Sequence, residues 1–259
     1  MQAIRSDRRE FLVSGGAFLA LLLSPWDAAA VGSSSRVELV QISYAGGNWR
    51  PRPTALRRLA WEIHKRTAVR SSLEPGVVKP TVAELSASPL AYLGGDRPFP
   101  RWSESQIDAL SRFLRLGGTL IVDPAQTPDG DAAGLSESFD ELIEAALPGA
   151  SAKELQPGHL VFRTFYDVPR ALGRVEGSPG LIGYARGDRL AVIRTRHDLG
   201  GAWARDNLGN WMHEVVPGGE RQRESAFRLG INLVMYALCQ DYKDEEPHRR
   251  FGRFDEGGD

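Results

Sequence analysis

The chain has 259 residues, of which 42% are hydrophobic, and this is enough to bury the core of one large α/β domain. Its 32 basic and 33 acidic residues leave a formal charge of −1 with no evident basic face, so the composition argues against nucleic-acid binding. The single cysteine, Cys239, excludes an internal disulfide, and its apolar helical surroundings predict a small buried side chain rather than a nucleophile.

Residues 1–30 have the pattern of an export signal. A polar, basic start is followed by a moderately apolar stretch at 11–23 and then by three alanines, which predicts cleavage after Ala30. The pair Arg8-Arg9, followed after one residue by Phe-Leu, resembles the twin-arginine export motif. This resemblance implies that the twin-arginine export machinery carries the folded protein to the periplasm. An uncleaved membrane anchor is the alternative, but the apolar stretch is shorter than the roughly 20 residues that span a bilayer, so no stable membrane span is expected after cleavage.

The first predicted strand is the apolar run at 37–42, and a loop joins it to a helix predicted at 54–66. Tyr44, Asn48 and Trp49 lie in that loop, at the carboxyl end of the strand, where an aromatic ring and an amide suit the lining of a ligand crevice. The alternative is a turn in which Trp49 only packs on the sheet. Both interpretations stay open at this point.

The centre of the chain is a β-loop-α-β unit. Two short apolar runs, 90–93 and 119–122, flank an amphipathic helix that begins after Ser103 with a capping-box pattern. The second run is β-branched and apolar throughout, as expected for a strand covered on both faces. Because parallel strands end at the same edge of a sheet, Asp96 and Asp123 are predicted to lie on one edge, where open α/β sheets bind ligands.

The second half of the chain completes one α/β domain predicted over residues 31–243. Its predicted elements are a helix at 137–147, a strand at 158–162, a hairpin of strands 181–184 and 190–193 turning at Gly187-Asp188, a helix at 220–242 and a polar tail at 244–259 that is expected to be disordered. The second hairpin strand continues towards His197 and Asp198, and Trp203 falls in a predicted loop.

Several stretches together resemble a bacterial family, the domain-of-unknown-function family 4159, whose members look like class I glutamine amidotransferases in fold. The matching stretches are 44–49, 92–96, 116–123, 158–159, 187–192, 197–199 with Trp203, and 230–233. The resemblance implies an α/β fold with a mostly parallel open sheet and helices on both faces, flavodoxin-like or class I glutamine amidotransferase-like, with a C-terminal hairpin addition. The family has no established activity, so the resemblance implies a fold and no chemistry.

An amidotransferase-like enzyme needs a nucleophile on a sharp strand-to-helix turn, in a Gly-x-Cys-x-Gly or Gly-x-Ser-x-Gly setting. The sequence contains neither motif, and Gly94-Gly95-Asp96 stands at the corresponding turn. The sequence therefore favours a non-catalytic module of the cell envelope that binds a small ligand or an envelope protein. No phosphate-loop or dinucleotide motif is present, and the cofactor, if any, stays unknown.

The alternative is a metal-assisted hydrolase that uses carboxylates and a histidine at strand ends. In both interpretations one crevice is lined by Tyr44, Asn48, Trp49, Asp96, Asp123, His197, Asp198 and Trp203. The three carboxylates are expected to approach one another, and like charges at one edge need a cation, an arginine or a shared proton. Arg97 or Arg196 is predicted to supply that counter-charge without a metal. In the simplest structural interpretation these carboxylates only cap helices or pair with arginines.

Overall fold

The computed structural model describes residues 36–126 and 132–244, with side chains given up to residue 239. The predicted export signal lies outside the described residues, as does the predicted tail beyond Asp244. In the described part of the chain, no helix is both long and apolar enough to cross a membrane.

The described residues form a mostly parallel sheet whose strand order is β2-β1-β3-β4-β7-β6-β5. The strands are β1 (Val40–Ile42), β2 (Gly76–Val78), β3 (Leu90–Gly95), β4 (Thr119–Pro124), β5 (Ala152–Leu155), β6 (Leu181–Arg186) and β7 (Arg189–Arg194). The neighbouring pairs β2-β1, β1-β3, β3-β4 and β4-β7 are all parallel, whereas β6 runs antiparallel to both β7 and β5. The chain first adds strands on one side of β1 and then on the other, so the strand order reverses between β1 and β3.

Helices cover both faces of this sheet. They are α1 (Ala55–Arg66), α2 (Val82–Leu85), α3 (Glu104–Arg115), α4 (Leu135–Ala146), α5 (Leu199–Trp203) and α6 (Gly219–Asp244), with a 3-10 turn at Leu160–Phe162. Alternate residues of a strand point to opposite faces, and in β3 Leu90 and Tyr92 join one hydrophobic cluster while Ala91 and Leu93 join the other. The first cluster packs against α1, α5 and α6, and the second packs against α2, α3 and α4.

The central β3-α3-β4 unit follows the sequence closely. The Ser103 hydroxyl accepts the backbone N–H of Gln106, and the Gln106 side chain accepts the backbone N–H of Ser103 at 3.0 Å, which confirms the predicted capping box. Every residue of β3 and of β4 is buried, as expected for central parallel strands. The strand ends are therefore fixed by packing on both faces.

The C-terminal half differs from the prediction in several places. Residues 160–162 form a 3-10 turn instead of a strand, because the Nδ1 atom of His159 accepts the backbone N–H of Val161 and its carbonyl accepts that of Phe162. The hairpin turns at Gly187, which has φ +61°, as predicted. It is expected as an addition to the sheet, whereas β7 pairs with β4 and is an integral strand of the sheet. Cys239 is exposed on α6, so the prediction of a buried thiol is wrong.

Candidate functional site

The carboxyl ends of β3, β4 and β7 meet at one edge of the sheet. The register pairs Gly94 with Asp123 and Val122 with Arg194, so the residues that follow these strands emerge side by side. This edge therefore brings Asp123 next to the segment that contains Asp198, as the topology of the predicted sheet requires.

Asp123 is a buried carboxylate that accepts four hydrogen bonds. Its Oδ1 atom accepts the Thr195 hydroxyl at 2.9 Å and the Leu199 N–H at 3.0 Å. Its Oδ2 atom accepts the Tyr92 hydroxyl at 2.6 Å and the Gly200 N–H at 2.7 Å. Burial, reinforced by the charge of Asp198, raises the pKa of Asp123 to about 6 although these hydrogen bonds favour the ionised form. All four conventional acceptor positions of the carboxylate are occupied.

Asp198 anchors the segment that follows β7. It has a left-handed backbone (φ 52°, ψ 60°), and its side chain caps α5 by accepting the Gly201 N–H at 2.8 Å. A Cβ atom at Gly201 would lie 2.5 Å from a carboxylate oxygen of Asp198, so this approach requires glycine. Asp198 is fully buried, and it holds its unusual backbone conformation through its side-chain contacts.

Two arginines neutralise Asp198. Arg52 donates to it from Nε at 3.0 Å and from Nη2 at 2.6 Å, and Arg174 donates from Nε at 2.5 Å. Both arginines also donate to the carbonyl oxygen of Gln126, at 3.3 and 2.7 Å. The contacts connect four segments: the loop before α1, the loop after β4, the segment before β6 that contains Arg174, and the segment after β7. We call Arg52, Asp123, Arg174 and Asp198 the buried charge network.

His213 lies at the rim of this network. Its Nε2 atom is 3.1 Å from Nη1 of Arg52, and because a guanidinium only donates, Nε2 must be the acceptor. Burial and the neighbouring Arg52 charge lower the pKa of His213. The imidazole is therefore neutral and carries its proton on Nδ1.

His197 does not face the buried charge network. Its Nε2 atom lies 2.7 Å from the carbonyl oxygen of Ser178, so it must carry a proton there, and its Nδ1 atom accepts the Arg196 N–H at 3.3 Å. The side chain is buried, and this burial lowers the pKa of His197. Both ring nitrogens are engaged within the protein, which leaves no lone pair for a metal ion.

Asp96 belongs to a separate, partly exposed group. Its Oδ2 atom accepts the side-chain N–H of Asn48 at 2.6 Å, and its Oδ1 atom accepts Nε of Arg97 at 3.0 Å. The predicted Arg97 counter-charge is thus present, but the hydrogen bonds and ion pairs that the structure describes for Asp96 do not reach Asp123 or Asp198. The contacts described for Asp96 are thus separate from those of Asp123 and Asp198, and the expected approach of all three carboxylates stays a prediction for Asp96. We call Asn48, Asp96 and Arg97 the outer polar group.

The three predicted aromatic residues lie in different surroundings. Tyr44 is buried and donates to the Gly94 carbonyl at 2.9 Å, and burial raises its pKa. Trp49 is half-buried against the core, and its carbonyl accepts the Gln41 side chain at 2.6 Å. Trp203 is 1% exposed inside α5, and its indole N–H donates to the Ala226 carbonyl at 3.0 Å. The prediction of a loop position for Trp203 is wrong, because it packs in the core beneath α6.

A groove of about 680 Å³ lies beside Tyr44, at the carboxyl ends of β1 and β2. Its walls include the segment Lys79-Pro80-Thr81 and the first turns of α3, with Val82 exposed on α2. Its volume falls within the range of about 300–1,000 Å³ that is typical of small-molecule sites.

The model of the family described as Domain of unknown function (DUF4159) matches residues 38–238. The chain belongs to this family. The matched DUF4159 region contains every residue of the buried charge network and of the outer polar group. A search of curated proteins finds no significant match to the chain.

Within the described part of the DUF4159 domain, no group of three or more His, Cys, Asp and Glu side chains is arranged to hold a metal ion. Sequence reasoning found Asp123 and Asp198 but missed Arg52, Arg174 and His213. Arg52 is separated from Asp198 by 146 residues along the chain, and it lies in a loop with no periodic pattern. A buried carboxylate such as Asp198 requires a counter-charge, but its burial is visible only in the structure.

Proposed function

We propose that this DUF4159 protein is an exported, non-catalytic module that binds a small ligand or protein of the cell envelope. We also propose that its sheet is of the flavodoxin-like or class I glutamine amidotransferase-like type. The order β2-β1-β3-β4 supports this, because flavodoxin-like sheets have the same order for their first strands. In such sheets ligands bind where the strand order reverses, and here that point lies between β1 and β3.

One observation carries the proposal: the strand-end groups Asp123, Asp198 and His197 are saturated by contacts within the protein. Asp123 accepts four hydrogen bonds, Asp198 is neutralised by two arginines, and both nitrogens of His197 are engaged. A general base needs a lone pair that reaches the substrate, and a nucleophile needs an exposed reactive atom. The turn after β3, where an amidotransferase would carry its nucleophile, has Asp96 instead.

The same edge offers room for a ligand beside Tyr44. The groove is open, and Thr81, Val82 and Gln106 contribute hydroxyl, methyl and amide groups to its walls. The outer polar group combines Asn48 from the loop after β1 with Asp96 and Arg97 after β3, and it contributes hydrogen-bonding groups that are partly exposed. A non-catalytic binding site needs shape and a few fixed polar groups, and this edge supplies both.

Filling the groove tests the proposal. Val82→Trp places a large ring in the groove, whereas Val77→Trp adds the same ring at an exposed site on β2 that does not line it. Thermal unfolding of the mature protein is measured with a library of envelope metabolites, since a ligand that binds the folded state raises the midpoint. We expect ligands that stabilise the wild type to stabilise Val77→Trp and not Val82→Trp. A stoichiometric metal with metal-dependent hydrolysis would instead support the hydrolase alternative.

A further inference from the structure

A second groove lies on the opposite face of the sheet, between α1 and the loop at 205–209. Its volume is about 460 Å³, within the range of about 300–1,000 Å³ seen for small-molecule sites. Arg57, Arg58 and Arg205 line it, and Trp61 and Leu73 form an apolar wall. Since α1 packs with the cluster that contains α5 and α6, this groove is remote from the one beside Tyr44.

The arginines of this groove are incompletely neutralised. Among the described residues, the Arg57 side chain makes one long hydrogen bond, from Nη2 to Asn207 at 3.4 Å, and pairs with no carboxylate. Arg205 lies 3.6 Å above the Trp211 ring and has no ion pair among the described residues. Arg58 pairs with Glu62, which also pairs with Arg66, and Arg66 has a second partner in Glu224. Of the three arginines that line the groove, Arg57 and Arg205 therefore have no ion pair among the described residues, although Glu74 and Asp206 also line it.

The electrostatics of the groove reflect how close its arginines lie to one another. Burial lowers the pKa of Arg58, and the positive charges of Arg205 and Arg66 lower it further against the opposing effect of Glu62. The Nε atoms of Arg58 and Arg205 are shielded from solvent and find no acceptor in the described structure. Like charges held this close favour an anion from solution.

The two acids that line the groove, Glu74 and Asp206, form no ion pair with its arginines among the described residues. Asp206 directs its carboxylate into its own turn, where it accepts the N–H groups of Leu208 and Asn210 and the Asn210 side chain at 2.7–3.0 Å. Glu74 forms no ion pair with an arginine among the described residues. The loop is held in place by Asp206, so Arg205 and Asn207 face α1 across a shaped gap.

We propose that this groove binds an oxyanion, a phosphate or a carboxylate, carried by a small organic molecule. The planar guanidinium fork of arginine matches both oxyanions and can donate two hydrogen bonds to either. The Trp61 ring, which is 36% exposed, and the exposed Leu73 side chain offer an apolar surface for the organic part. The organic part and the acid group then contact different walls of one groove.

Calorimetric titration of the mature protein at low ionic strength tests this proposal with four probes: inorganic phosphate, acetate, glucose 6-phosphate and glucose. We expect saturable binding of at least one oxyanion and none of glucose. Binding of phosphate or of acetate identifies which acid the groove prefers. Tighter binding of glucose 6-phosphate than of phosphate supports the contact with Trp61 and Leu73.

Variants separate a specific site from general charge. Arg57 is exposed, so Arg57→Gln should leave the fold intact and weaken oxyanion binding by at least about tenfold, as expected for loss of a charge-assisted hydrogen bond. Arg205→Gln should weaken it similarly, with folding checked by circular dichroism. Arg101→Gln is the matched control, because Arg101 is exposed and lies away from the groove. Absence of saturable binding, or equal weakening by Arg57→Gln and Arg101→Gln, overturns the proposal.

Discussion

Replacing Asp123 by asparagine should change how stability depends on pH. The ordinary pKa of an aspartate is 3.8, and burial raises that of Asp123 to about 6. The folded state therefore holds its proton more tightly than the unfolded state does. Between these two values the folded protein binds more protons, so this residue makes stability fall as pH rises. At about 1.36 kcal/mol per pH unit, the whole effect amounts to about 3 kcal/mol.

The measurement is chemical denaturation of wild type and Asp123→Asn at a series of pH values from 4 to 8. The difference between the two free energies of unfolding cancels the other titrating groups and leaves the contribution of Asp123. In Asp123→Asn, an NH2 group replaces one carboxylate oxygen, so it faces the N–H of either Leu199 or Gly200 donor to donor. That backbone N–H loses its acceptor, which costs about 1–3 kcal/mol at every pH. We expect the variant to gain about 2–3 kcal/mol relative to wild type on going from pH 4 to pH 8. A difference that is independent of pH would refute the raised pKa and its origin in burial.

Three further predictions concern Asp198, Cys239 and the export signal. Asp198→Ala should destabilise the protein by about 3–5 kcal/mol in chemical denaturation, because it leaves Arg52 and Arg174 without their carboxylate, while Asp198→Asn keeps the left-handed backbone and the cap and should lose less. Cys239→Ala should change stability by no more than about 0.5 kcal/mol, since the thiol is exposed, and a thiol reagent should modify Cys239 in the native protein; slow modification would contradict the exposure. Replacing Arg8 and Arg9 by lysine should abolish accumulation in the periplasm, measured by cell fractionation, and unchanged accumulation would contradict twin-arginine export.

Local sequence signals predict this fold well where the chain contacts its near neighbours. The capping box at Ser103, the strand at 119–122 and the turn at Gly187 each depend on residues a few positions apart. Strand β5 escapes prediction because its sequence, Ala-Lys-Glu-Leu, is polar and three of its four residues are exposed at the sheet edge. Its pairing with β6 determines its conformation, and no local pattern encodes that pairing.

The candidate site illustrates the same limit at longer range. Strand ends predict that Asp123 and the segment after β7 meet, because parallel strands share an edge. Arg52 and Arg174 come from loops whose positions depend on the packing of α1 and of the segment before β6, so no spacing in the sequence reveals them. The Gly-Gly pair before Trp203 is typical of a loop, so the sequence predicts a loop position for this residue. In the structure these glycines instead allow α5 to approach Asp198 and Tyr92 closely.

The two carboxylates of the buried charge network resolve their repulsion in different ways. Asp198 has two arginines within hydrogen-bonding distance, so its charge is more than balanced locally. Asp123 has no arginine of its own and relies on two hydroxyls and two backbone N–H groups, which leaves its pKa raised to about 6. The two arginines therefore balance the pair as a whole, and the network links four segments at the sheet edge. Because the network is balanced internally, we propose that it holds the segments at this edge in position. We propose that the outer polar group and the groove beside Tyr44 contact the ligand instead.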